Sequence, residues 1–339
     1  MNPIDRIIHK ATAVGSSLVF PEGEDLRVIN AAAAIIESKI ARVTLLGDVG
    51  KIQITASENN LDLNRISLID ASASEYENEF SEIVKSKLSD KDSSAESISE
   101  IVENPVNFGA LMVSTGKVDG CIAGAVNRSG DVIRAALKFI GLDEKSRLLS
   151  GSFLMLSPDG NKAYTFADCG VIPDPSAAVL AKIAIASARN HNSLTGEEPR
   201  IAFLSFSTKG SANHKRVEKM REALQAAQKE CPEYLMDGEL QFDAAFDAKI
   251  GGEKAPESDV AGRANVFIFP DLDSGNIAYK IAQRMGGYEA LGPILQGLKF
   301  PMNDLSRGCS SEDIVKVAAI TAVQTENVNR KENNIYAHV

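Results

Sequence analysis

In the first half of the chain, short apolar runs alternate with stretches whose apolar positions recur every three or four residues. Ser17-Leu18-Val19-Phe20 reads as a buried strand, stopped by Pro21-Glu22-Gly23. Between Asp25 and Ile40, Leu26, Ile29, Ala33 and Ile36 fall near a helical spacing. Val43 to Leu46, closed by Gly47-Asp48, and Ile66 to Ile69 read as further strands. The segment 71–103 is polar and rich in Ser, Glu and Lys, with Ser89 to Ser94 as a surface loop between two helices. Apolar content returns from Asn107 to Thr115. Gly120-Cys121-Ile122-Ala123-Gly124 then predicts a strand entering a tight turn, and Asp131 to Ile140 a helix. This order predicts parallel pairing and right-handed crossovers, with helices on both sheet faces: the α/β class.

The pattern changes near residue 148. Leu148 to Leu156 and Ala163 to Ala167 read as two strands joined by the turn Ser157-Pro158-Asp159-Gly160, a hairpin that could open a second domain. Ala177 to Ala188 is helical, Arg200 to Ser205 a strand, and His214 to Lys229 a helix. Asn265 to Pro270 is a buried strand, followed by helices from Gly275 to Arg284 and from Ser310 to Gln324. The polar tail from Thr325 to Val339 is expected to fray.

Composition narrows the classes. The chain has 339 residues, so two domains are expected. With 44% hydrophobic residues, disorder is excluded. No apolar run reaches the length of a membrane span, and the first residues do not read as a secretory signal. The net charge of −10, the absence of Trp and an aromatic content of only 6% argue against nucleic-acid binding. Cys121, Cys169, Cys231 and Cys309 form no CxxC pair and suit a reduced cytoplasm. His9, His191, His214 and His338 show no ligand spacing, so no metal site is expected. A GxGxxG dinucleotide fingerprint is absent.

Three turns carry candidate chemistry. Ser205-Phe206-Ser207-Thr208-Lys209-Gly210-Ser211 joins a strand to a helix and suits either a phosphate or an ordinary capped helix. In Asp304-Leu305-Ser306-Arg307-Gly308-Cys309-Ser310-Ser311-Glu312-Asp313, Arg307 offers a planar fork for phosphate and Ser306 a hydrogen bond. Asp313 could serve as a base, but Ser310 three residues before it is a capping-box pattern, and spacing alone favours the cap. Cys309 as a nucleophile is the weaker alternative, because no histidine lies nearby in sequence. The third turn, Gly124 to Asp131, holds Arg128 and Ser129 and leads to Arg134. On spacing it is an ordinary loop with an exposed helix arginine.

Several segments taken together resemble phosphate acetyltransferase, in the phosphate acetyl/butyryltransferase family. They are Phe20-Pro21-Glu22-Gly23-Glu24, Leu204 to Ser211, Asp237 to Ala245, Asn265 to Tyr279, Gly292 to Gly297 and Asp304 to Cys309. The resemblance runs through nearly the whole chain in order. It implies two α/β domains with a cleft between them, in an isocitrate/isopropylmalate dehydrogenase-like fold. The C-terminal helix would return to the first domain, giving 1–147 plus 299–339 and 148–298. It also implies a homodimer, no tightly bound cofactor, and reversible acetyl transfer between coenzyme A and phosphate, with acetyl-CoA and acetyl phosphate as partners.

Within that resemblance Asp313 takes the base role, Ser306 donates to the thiol or oxyanion, and Arg307 clamps phosphate and carbonyl. Arg134 and Ser129 bind the substrate anion, and Ser207, Thr208 and Lys209 line the wall near phosphate or coenzyme. Two departures stand out. Many relatives carry Gly-Ala-Val-His-Ser-Thr where this chain has Gly124-Ala125-Val126-Asn127-Arg128-Ser129. They also carry an arginine- and lysine-rich segment where this chain has Lys85, Lys87 and Lys91 but no arginine. The competing readings are a phosphate butyryltransferase and a non-catalytic sensor of acetyl phosphate or coenzyme A.

Overall fold

The structure, a computed structural model, describes residues 1–88, 94–144 and 146–336. The expected surface loop at Ser89 to Ser94 lies outside the described residues except for Ser94, and so does Lys91. The chain divides into two compact units. One contains Ile7–Asp143 and Leu298–Val339, the other Met1–Arg6 and Glu144–Gly297.

The first part of the chain runs α1 (Pro3–Val14), β1 (Ser17–Phe20), α2 (Leu26–Glu37), β2 (Arg42–Leu46), α3 (Val49–Glu58), β3 (Ile66–Ile69), α4 (Glu77–Lys87), α5 (Ala95–Glu103), α6 (Pro105–Ser114), β4 (Gly120–Ala123) and α7 (Ser129–Ala135). The middle part runs β5 (Ser150–Leu156), β6 (Ala163–Ala167), α8 (Ala177–Thr195), β7 (Arg200–Leu204), α9 (Lys215–Glu230), β8 (Leu235–Leu240), α10 (Phe242–Phe246), α11 (Ala248–Lys254), β9 (Val266–Ile268), α12 (Leu272–Arg284) and β10 (Glu289–Gln296). The chain then returns to the first unit as β11 (Met302–Asp304) and α13 (Ser311–Tyr336). The polar tail expected to fray from Thr325 therefore continues the last helix to Tyr336.

The five-stranded sheet has the order β11-β4-β1-β2-β3, and all its pairs are parallel. Strands β1, β2 and β4 are buried on both faces, which is why they read as short continuous apolar runs. Alternate residues serve opposite faces. Val19 and Cys121 look toward α6, where a Cβ on Gly109 would lie 3.6 Å from Val19 and 3.1 Å from Cys121. Leu18 and Gly120 look toward α13, where a Cβ on Gly120 would lie 2.9 Å from Thr321. Behind α6 the core continues through Phe80 and Phe108, edge to face at 4.9 Å between centroids. Helices α2 and α13 cover the other face together.

The six-stranded sheet has the order β10-β5-β6-β9-β7-β8. Strands β6, β9, β7 and β8 run parallel; β5 is antiparallel to both β6 and β10, so the expected hairpin is present. One face packs on α8 and α9 through Leu180, Ile183, Met220 and Leu224. The other carries an aromatic layer of Tyr164, Phe166, Phe267 and Phe269.

Candidate active site

In parallel sheets the loops leaving the C-terminal strand ends are where ligands gather. Strands β4 and β11 are neighbours, with Asp304 paired to Ala123, so the loops after them emerge side by side. The first loop, 124–128, turns into α7. Gly124 holds φ +107°, and a Cβ there would lie 2.2 Å from Asp304 Oδ1 and 2.7 Å from the Leu305 nitrogen. Only glycine allows that approach.

Two residues from the segment after β1 hold both loops. Glu22 is almost fully buried, and its carboxylate accepts the amides of Ala125 (2.7 Å), Val126 (2.9 Å) and Asn127 (2.7 Å), plus Asn127 Nδ2 (2.8 Å). Four donors on one carboxylate make a strong, directional anchor. Arg27 donates to the carbonyls of Ala125 (2.8 Å), Arg307 (2.8 Å) and Cys309 (3.1 Å). Asp25 binds the same guanidinium at 2.8 and 3.0 Å, which holds its carboxyl below the usual range.

On this frame Ser306 and Arg307 are exposed, and no ion pair or hydrogen bond engages the Arg307 guanidinium among the described residues. Arg128 is exposed and unpaired in the same sense. Ser129 begins α7 and is exposed, while Arg134 on the same helix ion-pairs with Asp131. Asp313 sits in the first turn of α13. Its Oδ2 accepts the Ser310 amide at 2.8 Å, and its own amide donates to Ser310 Oγ at 3.1 Å. The reciprocal capping pair is therefore formed, and Asp313 Oδ1 takes no hydrogen bond among the described residues. Cys309 is buried, and burial pushes its thiol up to about 11, with Arg27 opposing. A thiol so protonated at neutral pH is a poor nucleophile. The structure thus brings Ser129, Arg134, Ser306, Arg307 and Asp313 onto adjoining segments of one unit.

Ser207, Thr208 and Lys209 belong to the other unit, after β7. Their loop already holds an anion, the carboxylate of Glu239. Oε1 of Glu239 accepts from Ser207 Oγ (2.8 Å) and the Gly210 amide (2.9 Å), and Arg221 grips both oxygens at 2.7 and 3.0 Å. Despite burial, these donors hold Glu239 down at about 2. Thr208 Oγ1 bonds the amide and side chain of Gln241, and Lys209 pairs with Asp237. The loop cradles a negative charge, and that charge is the protein's own. Among the described residues no His, Cys, Asp and Glu side chains are grouped to hold a metal, and no helix is long and apolar enough to cross a membrane.

Sequence reasoning assigned no role to Glu22, Arg27 or Asp304. Glu22 stood within a motif, but its partners lie more than a hundred positions away, at Ala125 to Asn127.

A mixed α/β chain with an anchored pair of loops that carry guanidinium groups free among the described residues fits enzymes that handle small anions. Residues 3–322 match the family described as Phosphate acetyl/butaryl transferase, and the chain belongs to that family. Within it, a relative from Acetivibrio thermocellus named phosphate acetyltransferase is 42% identical over 332 residues, covering 97% of this chain and 99% of the relative. The EutD phosphotransacetylase structure from Staphylococcus aureus is 41% identical with a TM-score of 0.87, covering 95% of this chain and 98% of its own. A phosphotransacetylase from Streptococcus pyogenes is 39% identical with a TM-score of 0.89, over 96% and 98%. More remotely, a 4-hydroxythreonine-4-phosphate dehydrogenase from Klebsiella pneumoniae is similar in fold alone, at 10% identity and a TM-score of 0.52 over 93% and 99%.

Proposed function

We propose that this chain catalyses the reversible transfer of acetyl between coenzyme A and inorganic phosphate, as a cytoplasmic homodimer. The observation that carries the reading is the near full-length similarity to phosphate acetyltransferases, at 42% identity over 97% of the chain. The chemistry of the anchored loops agrees with it.

In the direction of thioester synthesis, Asp313 Oδ1 takes the proton of the coenzyme A thiol. A thiol is mostly protonated at neutral pH, so a base beside it raises the reactive fraction. The sulfur attacks the carbonyl carbon of acetyl phosphate, and the carbonyl oxygen gains negative charge. Ser306 and Arg307 stabilise that oxyanion. The carbon–oxygen bond to phosphate then breaks, phosphate leaves with the electron pair, and the thioester remains. Arg307, Arg134 and Ser129 hold the phosphoryl oxygens, Arg134 exchanging its Asp131 partner for the ligand. Ser207 and Thr208 act as wall residues by fixing the loop around Glu239, with Lys209 at its edge. No covalent enzyme intermediate is needed, in keeping with the protonated, buried Cys309. Local guanidinium groups draw two anionic substrates to a protein of net charge −10.

The test follows thioester absorbance on mixing the purified protein with coenzyme A and acetyl phosphate, with butyryl phosphate in parallel. Formation with acetyl phosphate is expected, and Arg307→Ala should lower kcat by about 100- to 1,000-fold without loss of folding. Preference for butyryl phosphate would move the activity to the longer-chain relative. No thioester from either, with the protein folded, would refute catalysis.

A further inference from the structure

Asp304 ends β11 directly before Leu305, Ser306 and Arg307. Its side chain has no solvent exposure, and neither carboxyl oxygen is engaged by a well-formed hydrogen bond among the described residues. The nearby Ser129 hydroxyl and Leu305 amide give only partial support, the Leu305 amide being donated to the Ala123 carbonyl at 2.8 Å. It lies tight against the other loop, since Gly124 approaches Oδ1 so closely that a methyl group would not fit. The groups that face it are few: the Ser129 hydroxyl from α7, the Leu305 amide from its own segment, and the Glu22 carboxylate from the turn after β1. No lysine or arginine bonds to it among the described residues. The amides of Ala125, Val126 and Asn127, which could have served it, are already held by Glu22. An ionised Asp304 would be a bare charge without a cation, next to a second carboxylate.

We propose that Asp304 is kept as a neutral carboxylic acid and serves as a positioning residue for both loops, which close over it when it is protonated and loosen when it ionises. The link to catalysis rests on the acetyl-transfer reading; the link to loop order does not. Burial pushes the carboxyl up to about 7, against the pull of Ser129 and Leu305, with Glu22 adding to the rise. The transition thus falls at the edge of neutral pH. Because the loop it underlies carries Ser306 and Arg307, its proton state should appear in turnover rather than in substrate affinity.

Amide hydrogen exchange, normalised for intrinsic rate, would be measured on peptides spanning 124–129 and 305–310 at pH 6 and pH 8.5. The pH profiles of kcat and KM would be recorded alongside. The wild-type loops should lose protection at least threefold at the higher pH, whereas Asp304→Asn, neutral at both, should hold constant protection. The kcat of the wild type should fall on an alkaline limb that Asp304→Asn lacks, with KM unchanged. Constant wild-type protection, or an identical loss in a folded Asp304→Asn, would overturn the proposal. If Asp304→Asn does not fold, the wild-type exchange decides alone. A wild type with no acyl transfer would refute the acetyl-transfer reading, while exchange still decides the role of Asp304.

Discussion

Replacing Glu22 by alanine would leave the amides of Ala125, Val126 and Asn127 without their acceptor in a nearly buried place. At about 1–3 kcal/mol for a lost buried partner, and with water relieving part of it, we expect a cost of about 3 kcal/mol. Glu22→Gln keeps one carbonyl oxygen and should lose roughly half as much. Denaturant midpoints at constant slope measure both, and equal stability of the two variants would show that the carboxylate is not the anchor. This residue also marks the limit of reading a site from sequence. Arg307 and Ser306 stand out in the sequence because their motif is contiguous. Glu22, Arg27 and Asp304 do not, because their meaning lies in backbone groups distant in the chain.

At the scale of elements, the start of α13 combines a cap with the proposed base, and one substitution separates them. Asp313→Asn keeps an oxygen for the Ser310 amide but cannot accept a proton, so kcat should fall by about 100-fold or more while the melting temperature moves little. Asp313→Ala should lose both activity and about 1 kcal/mol of stability. A destabilised but active Asp313→Asn would leave only the cap. Elements with simple patterns were legible: β1, β2 and β3 are short apolar runs between turn residues, and β5 and β6 flank a Pro-Asp-Gly turn. Strand β11 was not, since Met302-Asn303-Asp304 is two-thirds polar. Asn303 is nevertheless fully buried, because its side chain donates to Thr321 (2.8 Å) and Gln324 (2.7 Å) of α13. Strand β8, Leu235 to Leu240, hides in the same way behind Asp237, Gly238 and Glu239.

For the whole molecule, three buried groups shape the dependence of stability on pH. His191 is fully buried and held down at about 4, so between about 6.5 and 4 the unfolded chain takes a proton that the fold refuses, and stability falls as pH falls. Glu239, held at about 2, contributes stability above about 4.5 that is lost as pH drops toward 2. Asp304, raised to about 7, acts in the opposite sense: its contribution is full below about 3.8 and declines until pH reaches about 7. At about 1.4 kcal/mol per unit each amounts to about 3–4 kcal/mol, and between pH 4 and 6.5 His191 and Asp304 nearly cancel. Thermal melts should show a plateau there and a steep fall below it, and Asp304→Asn should turn the plateau into a rise with pH. Parallel curves for the two proteins would refute the assignment. The pairing of β4 with β11 has a further consequence, for synthesis on the ribosome. Strand β4 pairs with β1 as soon as it is made, but its other partner, β11, follows the whole middle unit, so Cys121 to Ala123 present an unpaired sheet edge while some 180 residues are added. The middle unit can settle as it emerges, but Arg27 and β4 wait for their partners until residues 302–309 are translated. The proposed site is thus assembled only once β11 and the loop after it have joined β4, and a product ending before Met302 would lack it.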